Sequence, residues 1–319
     1  MIFDSESVFE DNVITVLKQH GWKDGVLRYP TEQDLLDNWK GILYRNNNDI
    51  DRLGKYPLTD GEMAQIIEQI ETLRTPLALN SFVNGRTVSI TRDNKEDVAH
   101  FGKEISLYIY DRKEIAGGKS TYQIAQQPVY PAKNKMLNSR RGDLVLLING
   151  MPLIHIELKK SGIPVSQATN QIEKYTHEGV FTGLFRLVQI FVAMNPDDAV
   201  YFANPGVDKF NPSYYFHWAD YNNEPICGGQ NPGKDEWKLF IGGTSGTAGL
   251  LSIPMAHQLI GFYTIADSAD GCLKVLRSYQ YIAANAISDV VRKCDWEQRQ
   301  LLRDDQAAMY GTLPVPEKP

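Results

Sequence analysis

Residues 140–160, RRGDLVLLINGMPLIHIELKK, constrain the fold more than any other stretch of the chain. Two apolar runs meet at Asn149-Gly150, a dipeptide suited to a tight hairpin turn because both residues tolerate positive φ. Asp143 opens the first run, and Glu157 and Lys159 close the second. Residues two apart on a strand share a face, so Glu157 and Lys159 point the same way. A strict two-residue turn would pair Asp143 with Ile156 and put the two acids on opposite faces. One extra residue, in a three-residue turn or a bulge, pairs Asp143 with Glu157 instead. We expect that irregularity, and Pro152, which cannot donate to the ladder, favours it.

Two carboxylates held side by side repel, and each loses hydration. A hard divalent cation resolves both problems, since Mg²⁺ takes one or two carboxylates and keeps several waters. Lys159, about 6–7 Å along the strand from Glu157, supplies a cation where a phosphate oxygen or an attacking water can sit. The set suits metal-assisted phosphodiester hydrolysis. It reads equally as a hairpin end decorated with salt bridges, and spacing alone leaves the two open. His155 alternates onto the same face, although a histidine inside an apolar strand is ordinarily a satisfied core residue. In the helix expected next, VSQATNQIEKYTHEG, Gln171 and Tyr175 lie on one face, near the strand end, where they can orient a phosphate or the lysine. Between Ala132 and Gly142 stand Lys133, Lys135, Arg140 and Arg141 with no acid, either a phosphate track or a solvated loop.

Elsewhere the first eighty residues read mostly helical. SESVFEDNVITVLKQHGW, TEQDLLDNWKGILYRN and TDGEMAQIIEQIETLR carry apolar residues at helical spacing, with a serine, Thr31 and Thr59 as caps. From about residue 80 the period becomes two, through SFVNGRTVSITR, EISLYIY and TYQIAQQPVY, and LVQIFVAMN reads as a buried strand. The order implies an α/β fold, a mixed sheet flanked by helices. Glycine-rich connections follow residue 228, and 252–293 reads helical again. That places a boundary at about 245, dividing 1–245 from 246–319, with TLPVPEKP as a linker or cut end.

A chain of 319 residues supports one or two such domains. Its net charge of −6 argues against coating nucleic acid through bulk electrostatics, but not against a local phosphate track. No apolar run is long enough to span a bilayer, and the acidic N-terminus lacks the order of a secretory signal. Cys227, Cys272 and Cys294 have no metal-ligand spacing and read as buried or idle thiols in a reducing cytosol.

Together these residues resemble the PD-(D/E)xK nuclease pattern. More narrowly, RRGDLVLLINGMPLIHIELKK, QATNQIEKY and VQIFVAMN resemble the N-terminal endonuclease region of the motor (restriction) subunit of type I restriction enzymes. The resemblance implies a Mg²⁺-dependent endonuclease acting on double-stranded DNA. Asp143 and Glu157 would hold the ion with the Leu158 carbonyl, Lys159 would act on the water, and Gln171 and Tyr175 would form a secondary motif. It also names Glu10, with Glu6 behind it, as a candidate ligand on the first helix; simple solvation is the alternative for both. Arg140, Arg141 and Lys160 become candidate phosphate contacts. One departure is Gly142, where the pattern usually has proline, which loosens the strand entry.

The resemblance extends to HQLIGFYTIADSADGCLKVLRSYQYIAANAI, like the approach to a helicase motor, with Gln280 as a candidate adenine contact or an ordinary surface glutamine. The phosphate loop itself is lacking. GGKS at 117–120 has Lys113 where the first glycine belongs, and GGTSGTAG at 242–249 has no lysine, so no ATPase is expected of this chain. In the family, modification and specificity subunits choose the site, and ATP and S-adenosylmethionine serve only the full complex. Two alternatives stay open: a non-catalytic DNA-binding or docking domain of nuclease fold, and a free-standing repair or modification-dependent nuclease.

Overall fold

The computed structural model of the protein describes residues 2–115, 117–131, 140–207, 209–229, 235–269 and 271–293. Lys133, Lys135, Cys294 and the proline-containing tail lie outside them.

The N-terminal part forms α1 (Glu6–Gln19), β1 (Val26–Arg28), α2 (Glu32–Asn46), α3 (Asp60–Thr72) and α4 (Pro76–Asn84). Each of the first three helices starts where an oxygen side chain can take an orphan N–H. Ser5 accepts from the Val8 amide, and Thr31 and Thr59 form capping boxes with Asp34 and Glu62. The α4 helix runs through SFVN, which the two-residue period had placed in a strand. Thr75 caps it, Pro76 occupies its first turn, and Leu79 and Val83 are buried at helical spacing. Extended structure begins only with β2 (Thr87–Thr91), paired antiparallel with β3 (Glu104–Tyr108).

The principal sheet adds β4 (Tyr122–Gln126), β5 (Leu144–Ile148), β6 (Met151–Leu158), β7 (Ile190–Met194) and β8 (Ala199–Ala203). Its order is β1-β4-β5-β6-β7-β8; β1–β4 and β6–β7 are parallel, and the other pairs antiparallel. This is the expected mixed sheet flanked by helices. Strands β4 to β8 are buried throughout, which accounts for their almost unbroken apolar sequences. The AVYFA stretch of β8 had not been singled out from the sequence.

Helix α5 (Val165–His177) follows β6 and covers one face of this sheet. Ala168 and Ile172 pack there with Phe191 and Ala193, while Ile190, Val192 and Met194 turn into the larger core on the other face. Since His155 pairs with Phe191 and Glu157 with Ala193, both polar residues of β6 lie on the α5 face.

The remaining elements are α6 (Glu236–Gly242), α7 (Met255–Phe262), the antiparallel hairpin of β9 (Thr264–Asp267) and β10 (Cys272–Val275), and α8 (Ser278–Lys293). The expected helical stretch 252–293 is therefore interrupted by a hairpin whose Leu273 and Val275 are buried at period two. Leu250, Leu251, Met255, Leu259 and Ile260 join the same core as Phe9 and Trp22, so packing continues across residue 245.

Candidate active site

The β5–β6 hairpin turns at Asn149 (φ 53°) and Gly150 (φ 82°), both in the left-handed region that Asn-Gly supplies. Gly150 meets a second demand, since a Cβ there would lie 2.9 Å from the Cα of Trp39. From Ile148↔Met151 and Leu147↔Pro152 the register shifts to Leu146↔Ile154 and Leu144↔Ile156. Leu153 is the extra residue, a bulge beside the proline. The next position in the shifted register sets Asp143 opposite Glu157, as the charge spacing required.

The Leu158 amide donates to Asp143 Oδ2 at 2.7 Å, tying the carboxylate to the end of β6. Glu157 is fully buried, and among the described residues neither of its oxygens has a hydrogen-bond partner. Burial pushes its carboxyl up to about 7, with Lys159 working in the opposite direction. Asp143 is held well above the usual carboxylate range by burial and, next, by the Glu157 charge. Lys159, itself buried, places Nζ 2.9 Å from the Leu158 carbonyl, 3.6 Å from Glu157 Oε1 and 3.6 Å from Glu6 Oε1. Asp143, Glu157 and Lys159 thus converge, with the Leu158 carbonyl engaged by the lysine. Glu6, half-exposed on α1, is the outer partner of that lysine.

Glu10 also reaches the site. It is buried, accepts from Gln126 Nε2 at 2.5 Å and from Gln127 Nε2 at 3.2 Å, and its carboxyl is raised by burial and further by Asp143. The two glutamines were missed in the sequence, although the QQ pair at the end of β4 is a visible irregularity. Tyr130 was missed as well: its hydroxyl lies 2.9 Å from His155 Nδ1. His155 is fully buried, and burial lowers its imidazole to about 4, so the ring is neutral.

The Gln171–Tyr175 pair holds backbone, not the lysine. Gln171 Nε2 donates to the Tyr175 hydroxyl at 2.7 Å, which donates to the Arg141 carbonyl at 3.0 Å. Arg140 is fixed to the same helix end, with Nε and Nη2 each 2.9 Å from the Glu178 carboxylate. Both contacts clamp the segment entering Asp143 against α5. Of the three candidate phosphate contacts, Arg140 is consumed by this pair, whereas Arg141 and Lys160 are exposed. Gly142 is explained by space: a Cβ there would lie 2.5 Å from the Tyr130 hydroxyl and 2.8 Å from His155 Cε1. Proline would meet the same atoms.

Gln280 lies elsewhere. Its Oε1 accepts from the Arg277 amide at 2.9 Å, capping α8, and it lines a cavity of about 370 Å³ with Tyr214, Phe216, Arg277 and Tyr279. None of the residues around Asp143 borders that cavity.

Among the described residues no three His, Cys, Asp or Glu side chains form a ready cage for a metal ion. Mg²⁺ does not require one, since one or two carboxylates and waters suffice. The donors present are hard oxygens, and the unpartnered oxygens of Glu157 beside Asp143 fit such an ion. No helix of the described residues is long and apolar enough to cross a membrane.

Comparison with known proteins places the chain in a family. The family model described as "Type I restriction enzyme R protein N terminus" matches residues 4–210. The chain is 29% identical over 295 residues to the type I restriction enzyme SsaAORF53P endonuclease subunit of Staphylococcus saprophyticus, covering 90% of this chain and 27% of that protein. It is 29% identical over 289 residues to the SauCOLORF180P endonuclease subunit of Staphylococcus aureus, with the same coverage of 90% and 27%. The EcoprrI endonuclease subunit of Escherichia coli is 28% identical over 318 residues, covering 90% of this chain and 91% of that protein. The chain thus spans 27% of the length of the staphylococcal relatives. Because the matched segment is more than half of the chain and contains the whole β5–β6–α5–β7 unit, the chain belongs to the family of type I restriction enzyme R protein N termini.

Proposed function

We propose that this chain is the Mg²⁺-dependent nuclease portion of a type I restriction enzyme R subunit, cutting double-stranded DNA phosphodiesters. The observation that carries the reading is the buried Glu157 carboxylate, which accepts no hydrogen bond among the described residues and sits beside Asp143 with Lys159 3.6 Å away. Asp143 and Glu157 would hold the ion, while Glu10, whose carboxylate accepts from Gln126 and Gln127, would stand behind them rather than complete a three-carboxylate cage. When bound, Mg²⁺ supplies Lewis-acid stabilisation of the charge that develops on the phosphate. The Leu158 carbonyl, here engaged by the Lys159 ammonium, would be a further oxygen donor, and Lys159 would polarise the attacking water or a phosphate oxygen. Gln171 and Tyr175 fix the strand entry, and Arg141 and Lys160 contact neighbouring phosphates. The setting is cytoplasmic. Modification and specificity subunits are the partners that choose the site, and ATP and S-adenosylmethionine act only in that assembly. The segment 246–319 belongs to the approach to the motor, where Gln280 contacts adenine.

The test compares the wild-type chain with Lys159→Ala in a complex reconstituted with the remaining parts of the enzyme. Retained ATP turnover with cutting reduced by at least about 10² fits a group acting in the chemical step. Equal cutting by the variant removes Lys159 from the site. DNA binding that ignores both Mg²⁺ and Glu157→Gln, with no cutting by either protein, would favour a docking domain of nuclease fold.

A further inference from the structure

Tyr130 and His155 form a polar pair inside an otherwise apolar wall. Tyr130 is 1% exposed and His155 is 0% exposed. The tyrosine ring meets Phe185 edge-on at 4.6 Å and Phe181 at 5.8 Å, and the imidazole meets Phe181 edge-on at 5.3 Å. These rings leave the pair little rotational freedom. Gly142 leaves the space that the pair fills, since a Cβ at that residue would overlap both side chains. The far nitrogen, His155 Nε2, lies 3.3 Å from Glu157 Oε2, outside hydrogen-bond alignment, and has no partner among the described residues.

The tautomer follows from what each nitrogen faces. If Nδ1 donated to the tyrosine hydroxyl, the Nε2 lone pair would confront a carboxylate oxygen, acceptor against acceptor. If the hydroxyl donates to Nδ1, the ring proton sits on Nε2 and faces Glu157. With Glu157 ionised, as it must be to hold a cation, only the second arrangement is attractive.

We infer that Tyr130 and His155 are positioning residues for Glu157: the hydroxyl fixes the Nε2–H tautomer, and that N–H steadies Oε2 so that the carboxylate plane is preset for the ion. The inference rests on the metal-site reading above. It assigns a task to two buried residues that the reaction itself does not use, and it gives Gly142 a reason to lack a side chain.

The experiment has two readouts on the 319-residue chain. Nitrogen-15 NMR of the wild type, recorded well above pH 7 where Glu157 is ionised, reports the imidazole tautomer and needs no variant; the expected spectrum shows a neutral His155 with its proton on Nε2. Calorimetric titration with Mg²⁺ then compares wild type, Tyr130→Phe and Glu157→Gln. Loss of an orienting partner of this kind weakens ion binding by about tenfold, so Tyr130→Phe should bind about tenfold more weakly and Glu157→Gln not measurably. A proton on Nδ1, or wild-type affinity in a folded Tyr130→Phe, overturns the positioning role while leaving the metal site standing. Absence of Mg²⁺ binding by the wild type overturns both, and is told apart by that control alone.

Discussion

A buried carboxylate whose two oxygens accept no hydrogen bond is costly unless it is protonated or meets a cation. Glu157 is close to that position, with only the Lys159 ammonium 3.6 Å away to offset its burial, and its carboxyl is pushed up to about 7. The folded chain therefore holds this proton more tightly than the unfolded chain, whose carboxyl titrates near 4.5. The resulting stability is fully present below the unfolded value and is lost as pH rises through about 7. For a fully buried group a shift of this size is on the order of 3 kcal/mol. Asp143, also raised, acts with the same sign. If these carboxylates hold Mg²⁺ as proposed, binding would release their protons, and added ion should restore stability on the alkaline side. Thermal melts in chelator should fall between about pH 5 and about pH 8, and melts in Mg²⁺ should be flatter. Glu157→Gln should flatten the chelator curve and abolish the Mg²⁺ effect; an unchanged profile in that variant would assign the titration elsewhere.

Hairpin and helix together turn this residue chemistry into a site. The β-bulge at Leu153 sets Asp143 opposite Glu157, and α5 clamps the entering segment through Tyr175 and Glu178. Tyr175→Phe removes the donor to the Arg141 carbonyl and should cost about 1 kcal/mol of stability, with reduced cutting. Were the tyrosine a DNA contact, the variant would instead raise KM for DNA with its melting temperature unchanged. The bulge was legible because the charges, the Asn-Gly turn and Pro152 give incompatible registers unless one residue is extra. The converging acids and lysine were legible from the period of two. The Tyr130–His155 pair was not, because its members stand 25 residues apart and nothing local links them. The β9–β10 hairpin was hidden by helix-compatible residues on both sides. In SFVN, Asn84-Gly85 looked like a strand turn, whereas Thr75-Pro76, nine residues earlier, starts a helix that runs into it. The Thr31→Ala variant, which removes the capping box of α2, should lower stability by about 1 kcal/mol in a denaturant melt, and no change would show that cap to be idle.

At the scale of the whole molecule, the described residues after 245 pack into the same hydrophobic core as the first helix and the main sheet. The Trp22 indole N–H donates to the Leu251 carbonyl at 2.6 Å, and the Tyr122 hydroxyl lies 2.9 Å from His257 Nδ1. Each large apolar side chain buried by this segment contributes about 1.5–3 kcal/mol, against a total stability of about 5–15 kcal/mol. A chain ending at 245 should therefore fail to melt cooperatively, whereas one ending at 293 should melt as a unit; a sharp transition in the shorter chain would place the domain boundary where the sequence suggested it. The membership in the R protein N-terminal family, the mixed sheet and the converging acids all bear on one claim, that this core is built around a divalent ion. Anomalous scattering from crystals grown with Mn²⁺ tests it most directly. The account predicts one strong peak between the carboxylates of Asp143 and Glu157, absent in Glu157→Gln. A crystal without that peak, in which the Asp143 carboxylate turns away from Glu157 and Lys159, would contradict it.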